Sequence, residues 1–145
     1  MVAISMEIDQ ALTFLRDHRN GVLITLKRDG RPQLSNILYG VDDEGIVRIS
    51  VTAPRAKTRN AARDPRVSLH VTRDDFYAYA VVEGDAELSA VSAEPGDAAG
   101  QELAEHYRSA VGEHDDWDAF FASQVADQRQ ILRFRPTYAY GMLPS

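Results

Sequence analysis

Arg55, Lys57, Arg59 and Asn60 crowd into about one and a half turns of a segment that reads as the start of a helix. The segment is S-V-T-A-P-R-A-K-T-R-N, residues 50–60, and it runs from a strand into the helix N-terminus. Such a terminus offers unpartnered N–H groups and the positive end of the helix dipole. A guanidinium and an ammonium added there make an anion site, and phosphate is its natural guest. Cations at this end oppose the dipole, a mild local conflict of the kind functional sites carry. Ser50 and Thr52 share one face of the preceding strand and are placed to hydrogen-bond a ring or ribityl chain lying along it. The same charges also suit a solvated basic helix face, continued by Arg63 and Arg66. Charge pattern alone does not separate the two.

The elements that would position these residues follow from periodicity. Residues 7–18 read as a helix, with Ile8, Ala11, Leu12 and Leu15 on one face. Asn20-Gly21 ends it. Strands are expected over 22–27 and 33–41, joined at the hairpin signal Asp29-Gly30, and then over 46–52 after a turn at 42–45. Val47, Ile49 and Val51 alternate there with Arg48, Ser50 and Thr52. A short helix spans 54–63, with Pro54 in its first turn and Asp64-Pro65 as its stop. Val67, Leu69 and Val71 mark another strand. Residues 76–83 and 85–91 read as two strands, or one bent at Gly84, a bulge or barrel corner. Helices follow over 98–111 and from a cap at Asp116 through Trp117, Phe120, Phe121 and Gln124. Strands at 131–135 and 137–141 close the chain. Many short strands with a few inserted helices suggest a barrel, and the regular strand–helix alternation of a doubly wound sheet is missing.

The 145 residues suit a single domain, 1–145, with one core. The sequence has no cysteine, which rules out a disulfide framework, a thiolate metal site and a cysteine nucleophile. A net charge of −6 argues against binding nucleic acid through bulk charge. No run approaches the ~20 apolar residues of a membrane span, and residues 1–14 do not look like a signal peptide. A cytoplasmic protein is the expectation. Only Lys27 and Lys57 are lysines, which draws the eye to Lys57.

Several familiar chemistries have no motif. G-x-G-x-x-G, G-x-x-x-x-G-K, G-x-S-x-G and H-E-x-x-H are all missing. A nucleotide-like ligand would therefore be held without a Rossmann turn. His114 with Asp115 and Asp116 reads better as a solvated helix start than as a metal site, and no metal is expected. No histidine follows residue 114, so a C-terminal haem ligand has no candidate.

The stretch R-A-K-T-R-N-A-A-R-D-P-R-V-S-L, residues 55–69, resembles the signature of the pyridoxamine 5′-phosphate oxidase-like split barrels. It is most similar to their actinobacterial flavin/deazaflavin oxidoreductase B branch. The likeness extends through G-R-P-Q-L-S-N-I-L-Y (30–39), Y-A-V-V-E-G-D-A-E-L (79–88), D-W-D-A-F-F and I-L-R-F-R-P-T-Y-A-Y-G. It covers nearly the whole chain in the family's order.

The resemblance implies a mainly β fold, a six-stranded antiparallel split β-barrel of the FMN-binding type with peripheral helices. It implies a homodimer with a cofactor in a groove at the subunit interface. Carried over by motif, Arg55 and Lys57 would hold the cofactor phosphate, supported by Asn60. Ser50, Val51 and Thr52 would line the ring and ribityl chain, and Gln33, Ser35 and Asn36 would face the tricycle. Tyr77, Ala78 and Tyr79 would come from the partner. As strand aromatics, Phe76, Tyr77 and Tyr79 also suit core packing, and Trp117 suits packing of a helix on the barrel.

The branch commonly uses coenzyme F420, while relatives use FMN. The chain stops at Pro144-Ser145 without the C-terminal substrate motif of true pyridoxamine oxidases, so vitamin B6 oxidation is not expected. The implied activity is hydride transfer from reduced deazaflavin to a conjugated, quinone-like or tetrapyrrole substrate. An FMN-dependent oxidoreductase and a deazaflavin-binding carrier or sensor without turnover are the alternatives. Hydride transfer needs no diagnostic side chain, so no catalytic residue is named. A proton would come from solvent or a hydroxyl such as that of Tyr79.

Overall fold

In the computed structural model, which describes residues 4–144, the chain forms two antiparallel sheets and four helices. The elements in order are β1 (Ile4–Ser5), α1 (Ile8–Arg16), β2 (Asn20–Leu26), β3 (Pro32–Leu38), β4 (Gly40–Val41), β5 (Val47–Thr52) and α2 (Ala56–Arg63). There follow β6 (Arg66–Thr72), β7 (Tyr79–Asp85), β8 (Glu87–Leu88), α3 (Ala98–Ala110), α4 (Trp117–Ala126), β9 (Arg129–Phe134) and β10 (Tyr138–Met142). One sheet has six strands in the order β1-β10-β7-β6-β2-β3, and the other has four in the order β4-β5-β9-β8. The expected six-stranded barrel is thus two open sheets sharing one core. Sequence reading missed β1 and did not separate β4 from β3. No helix among the described residues is long and apolar enough to cross a membrane.

Strand alternation decides what each face does. Val47, Ile49 and Val51 of β5 enter the shared core with Leu132 and Phe134 of β9 and Leu23, Leu69 and Val82 of the larger sheet. Ala11 and Leu15 of α1 pack into the same core, and Tyr39 is clamped there by its hydroxyl, which donates to the Leu15 carbonyl at 2.6 Å. The opposite faces of β5 and β9 support the second helical pair. Leu103, Ala104 and Phe120 pack over Ile131 on that side. The two middle strands of the small sheet therefore carry a core on one face and a helical layer on the other.

Three local expectations change. Phe76 and Tyr77 stand in the turn before β7 rather than in a strand. Asp75 Oδ1 accepts from the Arg73 side chain at 2.9 Å and the Tyr77 backbone N–H at 3.0 Å, and Phe76 takes a φ of 71°. This side chain–backbone bonding competes with a ladder. Of residues 85–91, Asp85 ends β7 and only Glu87–Leu88 form a further strand, the short β8. Gly84 sits in regular register opposite Val67, with no bulge. A Cβ on Gly84 would come within 2.6 Å of the Arg135 carbonyl oxygen, so close backbone approach is what requires glycine.

Gly141 shows the same constraint more sharply. Its φ is 150°, and a Cβ there would lie 2.3 Å from the Tyr79 carbonyl oxygen. Gly141→Ala is expected to cost about 2–3 kcal/mol by urea unfolding, the scale of an overpacked core site. An unchanged midpoint would mean that β10 and β7 do not approach this closely.

Candidate functional site

The turn from β5 into α2 builds the cationic end of the site. Arg55 takes the N-cap position with extended backbone and makes no side-chain cap. The first turn of α2 has no acidic residue, so nothing within it offsets the dipole. The Thr58 hydroxyl donates to the Thr52 carbonyl at 2.8 Å and fixes the helix against the strand it leaves.

Lys57 is half-buried and lines a cavity of about 510 Å³ with Ser50, Asn36 and Arg129. Burial, then the charges of Arg55 and Arg129, hold its ammonium below the usual lysine range. The nearest carboxylate to Arg129 is that of Asp127, at 3.9 Å, and Arg129 also donates to the Ser50 hydroxyl at 3.3 Å. Three cations thus gather with little carboxylate between them. An anion bound there would relieve their repulsion.

The remaining residues divide in space. Gln33 and Ser35 lie on the inward face of β3, opposite Thr25 and Leu23, whereas Asn36 lies on the other face opposite Val22. The three therefore do not share one face. Asn60 is buried, and its amide donates to Thr25 Oγ1 at 3.2 Å and Gln33 Oε1 at 3.1 Å. It also accepts from Arg63 at 3.1 Å. Asn60 thus ties α2 to β2 and β3, and its amide is already committed. Gln33 and Asn60 line a second, basic cavity of about 380 Å³ with Lys27, Arg28, Arg59 and Arg63. The Val51 side chain is in the core, and Thr52 stands at the strand end.

Tyr77 is 82% exposed and Ala78 fully buried. Tyr79 packs against His70 with ring centroids 5.5 Å apart. That pair lies on the outer face of the six-stranded sheet, where His70 lines a cavity that shares Asn36, Ile37 and Leu38 with the Lys57 cavity.

Sequence reading missed Arg129, His106 and Gln124, all of which line the Lys57 cavity. Arg129 is the register partner of Thr52 across β9 and β5. Nothing local marks it, since Ser50 and Arg129 are 79 residues apart in the chain. His106 is in α3 at the cavity floor and Gln124 in α4. His114, the weighed metal ligand, instead accepts from the Asp116 N–H at 3.0 Å and packs on Trp117.

Two sheets wrapped around one core without closing, with a cation-lined groove at a helix mouth, define a split-barrel protein. The sequence pattern of the pyridoxamine 5′-phosphate oxidase family matches residues 8–143, and the chain belongs to that family. A conserved hypothetical protein of Mycobacterium tuberculosis is similar at 26% identity and a TM-score of 0.72, over 97% of this chain and 90% of that one. An F420 reductase is also 26% identical, with a TM-score of 0.63, over 83% and 88%. A heme binding protein from Mycobacterium smegmatis shares the fold at 20% identity and a TM-score of 0.66, over 93% and 53%.

His106 gives the site a pH signature. Burial and the Arg48 charge, opposed by Glu102, bring its pKa down from 6.5 to about 4. A histidine held neutral by folding contributes stability fully above its unfolded pKa. It loses that contribution as pH falls toward the folded value. Between pH 7.5 and 5 the native state should lose about 2 kcal/mol through this group. Urea titrations should show most of that loss abolished in His106→Gln. The same loss in the variant would exclude His106 as its source.

Proposed function

We propose that this protein is a coenzyme F420-dependent reductase, acting as a homodimer on a conjugated, quinone-like or tetrapyrrole substrate. The observation that carries the reading is the cation cluster of Arg55, Lys57 and Arg129 at the mouth of α2, beside Ser50 and Asn36. These residues fit a phosphorylated ligand with a polar ring. Lys57 and Arg55, with the free N–H groups of the first turn of α2, would take its phosphate. Ser50 and Asn36 would hydrogen-bond its ring or chain. When bound, reduced deazaflavin supplies a hydride from C5. The protein's share is to hold the ligand, exclude water and admit a proton from solvent or the Tyr79 hydroxyl. The 26% identity to an F420 reductase supports the choice of coenzyme.

The dimer is supported by the outer face of the six-stranded sheet. Val22, Ile24, Leu34, Leu38, Val81 and Tyr140 point to that side by register, while α1 packs on the other. Leu34 and Leu38 are 62% and 52% exposed. Asn36 and the Ser68 and His70 side chains of β6 interrupt this face, but the exposed apolar patch of Leu34 and Leu38 beside Val22 and Ile24 suits an association surface. Tyr77 and Tyr79 belong to the same side, where they would meet a second copy.

Charge-assisted bonds of this type contribute roughly 1.5–3 kcal/mol each. Lys57→Ala should therefore weaken F420 binding at least tenfold without lowering the unfolding midpoint, as read by titrating the coenzyme and following its fluorescence. Unchanged affinity would remove Lys57 from the site, and tight FMN binding with no F420 binding would overturn the choice of coenzyme. Leu34→Glu with Leu38→Glu should shift sedimentation from dimer to monomer. A dimer in that double variant would place the interface elsewhere.

A further inference from the structure

The cavity beside Lys57 has a second, aromatic wall. Tyr107 and Phe120 line it, edge-to-face with ring centroids 5.2 Å apart, and His114 stands 5.5 Å from Phe120. Two polar side chains with only 9% of their surface exposed, His106 and Gln124, also line it. The His106 ring takes part in no hydrogen bond with a described residue. Gln124 donates to the Ser123 hydroxyl at 3.1 Å, which leaves its carbonyl oxygen free to accept. Among the described residues no side-chain nitrogen or oxygen is both fully enclosed and unpartnered, so the free atoms of His106 and Gln124 stay open to solvent or to a guest. At the far end stands Arg129, whose nearest carboxylate is a loose 3.9 Å away.

We infer that the cleft between α3–α4 and β5–β9 is a subsite for a planar aromatic carboxylate, with its rings against Tyr107 and Phe120 and its carboxylate on Arg129. His106 and Gln124 bond a polar ring substituent such as a quinone oxygen or phenol. Aromatic walls favour a flat, polarisable guest over a branched aliphatic one. The guanidinium fork of Arg129 matches a carboxylate, and Lys57 lines the same cleft, while the Tyr107 and Phe120 rings are uncharged. A volume of about 510 Å³ is in the range of small-molecule sites. The inference rests on the proposed reductase activity only in making this ligand the substrate, since binding itself needs no coenzyme.

The test uses the full chain without coenzyme, titrated with anthraquinone-2-carboxylate and with the uncharged anthraquinone-2-carboxamide. Calorimetry gives the affinity. The emission of Trp117, the single tryptophan, reports on the wall directly because its ring packs 5.3 Å from that of Phe120. The carboxylate should bind at least tenfold more tightly than the amide, and Arg129→Gln should erase the difference. Ser123 lines the cleft and is exposed, so Ser123→Phe should fill it and weaken the carboxylate at least tenfold with an unchanged unfolding midpoint. Val111→Phe, at another exposed lining position, serves if Ser123→Phe does not fold.

F420 affinity is measured on the blocking variants Ser123→Phe and Val111→Phe, and not on Arg129→Gln, because Arg129 also belongs to the cation cluster assigned to the coenzyme. Retained F420 binding with lost carboxylate binding supports the subsite. Loss of both would make the cleft the coenzyme's own and overturn it. Absent carboxylate binding by the wild type, or binding that the blocking variants leave intact, would also overturn it. Carboxylate binding by a protein that binds no F420 would leave the subsite standing and the coenzyme reading refuted.

Discussion

The position of the second helical layer hangs on one carboxylate. Glu102 of α3 accepts from Arg48 Nε at 2.9 Å and from a single Arg133 nitrogen at 2.7 and 2.9 Å. Arg48 in turn donates to Asp42 at 2.6 Å. These groups are only partly buried, so their net contribution to stability is modest. Their value is geometric. Two arginines on neighbouring strands converge on one side chain, which sets the height and rotation of α3 over the small sheet. Leu103, Tyr107 and Ala110 then share the helix face that meets Ile131 and the cavity, and His106 lies one turn beyond Glu102. The aromatic wall follows from that docking.

The alternation of β5 was legible from sequence because a period of two is a local signal, and its buried and half-buried positions follow it. The cations at the head of α2 were legible for the same reason. What local reading could not supply was the convergence of distant segments. Arg129 meets Ser50 only because β9 pairs with β5, and His106 and Gln124 reach the same cavity from two separate helices. The grouping of Gln33, Ser35 and Asn36 came from motif likeness, and the pleat divides it, since neighbouring side chains leave a strand on opposite sides. Asn60 illustrates a related limit. A polar residue near an anion site reads as a ligand, yet its amide is committed to joining a helix to two strands.

Charge is distributed against the average. The chain carries −6 overall, yet Lys27, Arg28, Arg59 and Arg63 line one cavity and Lys57 and Arg129 the next. An acidic exterior repels stray anions, while a recessed positive groove with low-dielectric walls focuses its own field. A ligand must therefore bring its negative charge on a shape that enters the groove.

The turn ahead of β7 has a consequence for whatever docks beside it. Phe76 is large and non-glycine, yet it holds a left-handed backbone at φ 71°, pinned by the Asp75 bonds and by the Phe76 N–H to the Arg73 carbonyl at 2.8 Å. Its ring and that of Tyr77 stand out into solvent. The cost of that arrangement, on the order of 1 kcal/mol, is met during folding. A docking surface therefore meets two aromatic rings on a turn whose backbone is already tied by hydrogen bonds. Little conformational freedom remains to be lost at contact, so the binding energy of those rings goes into association rather than into ordering the loop.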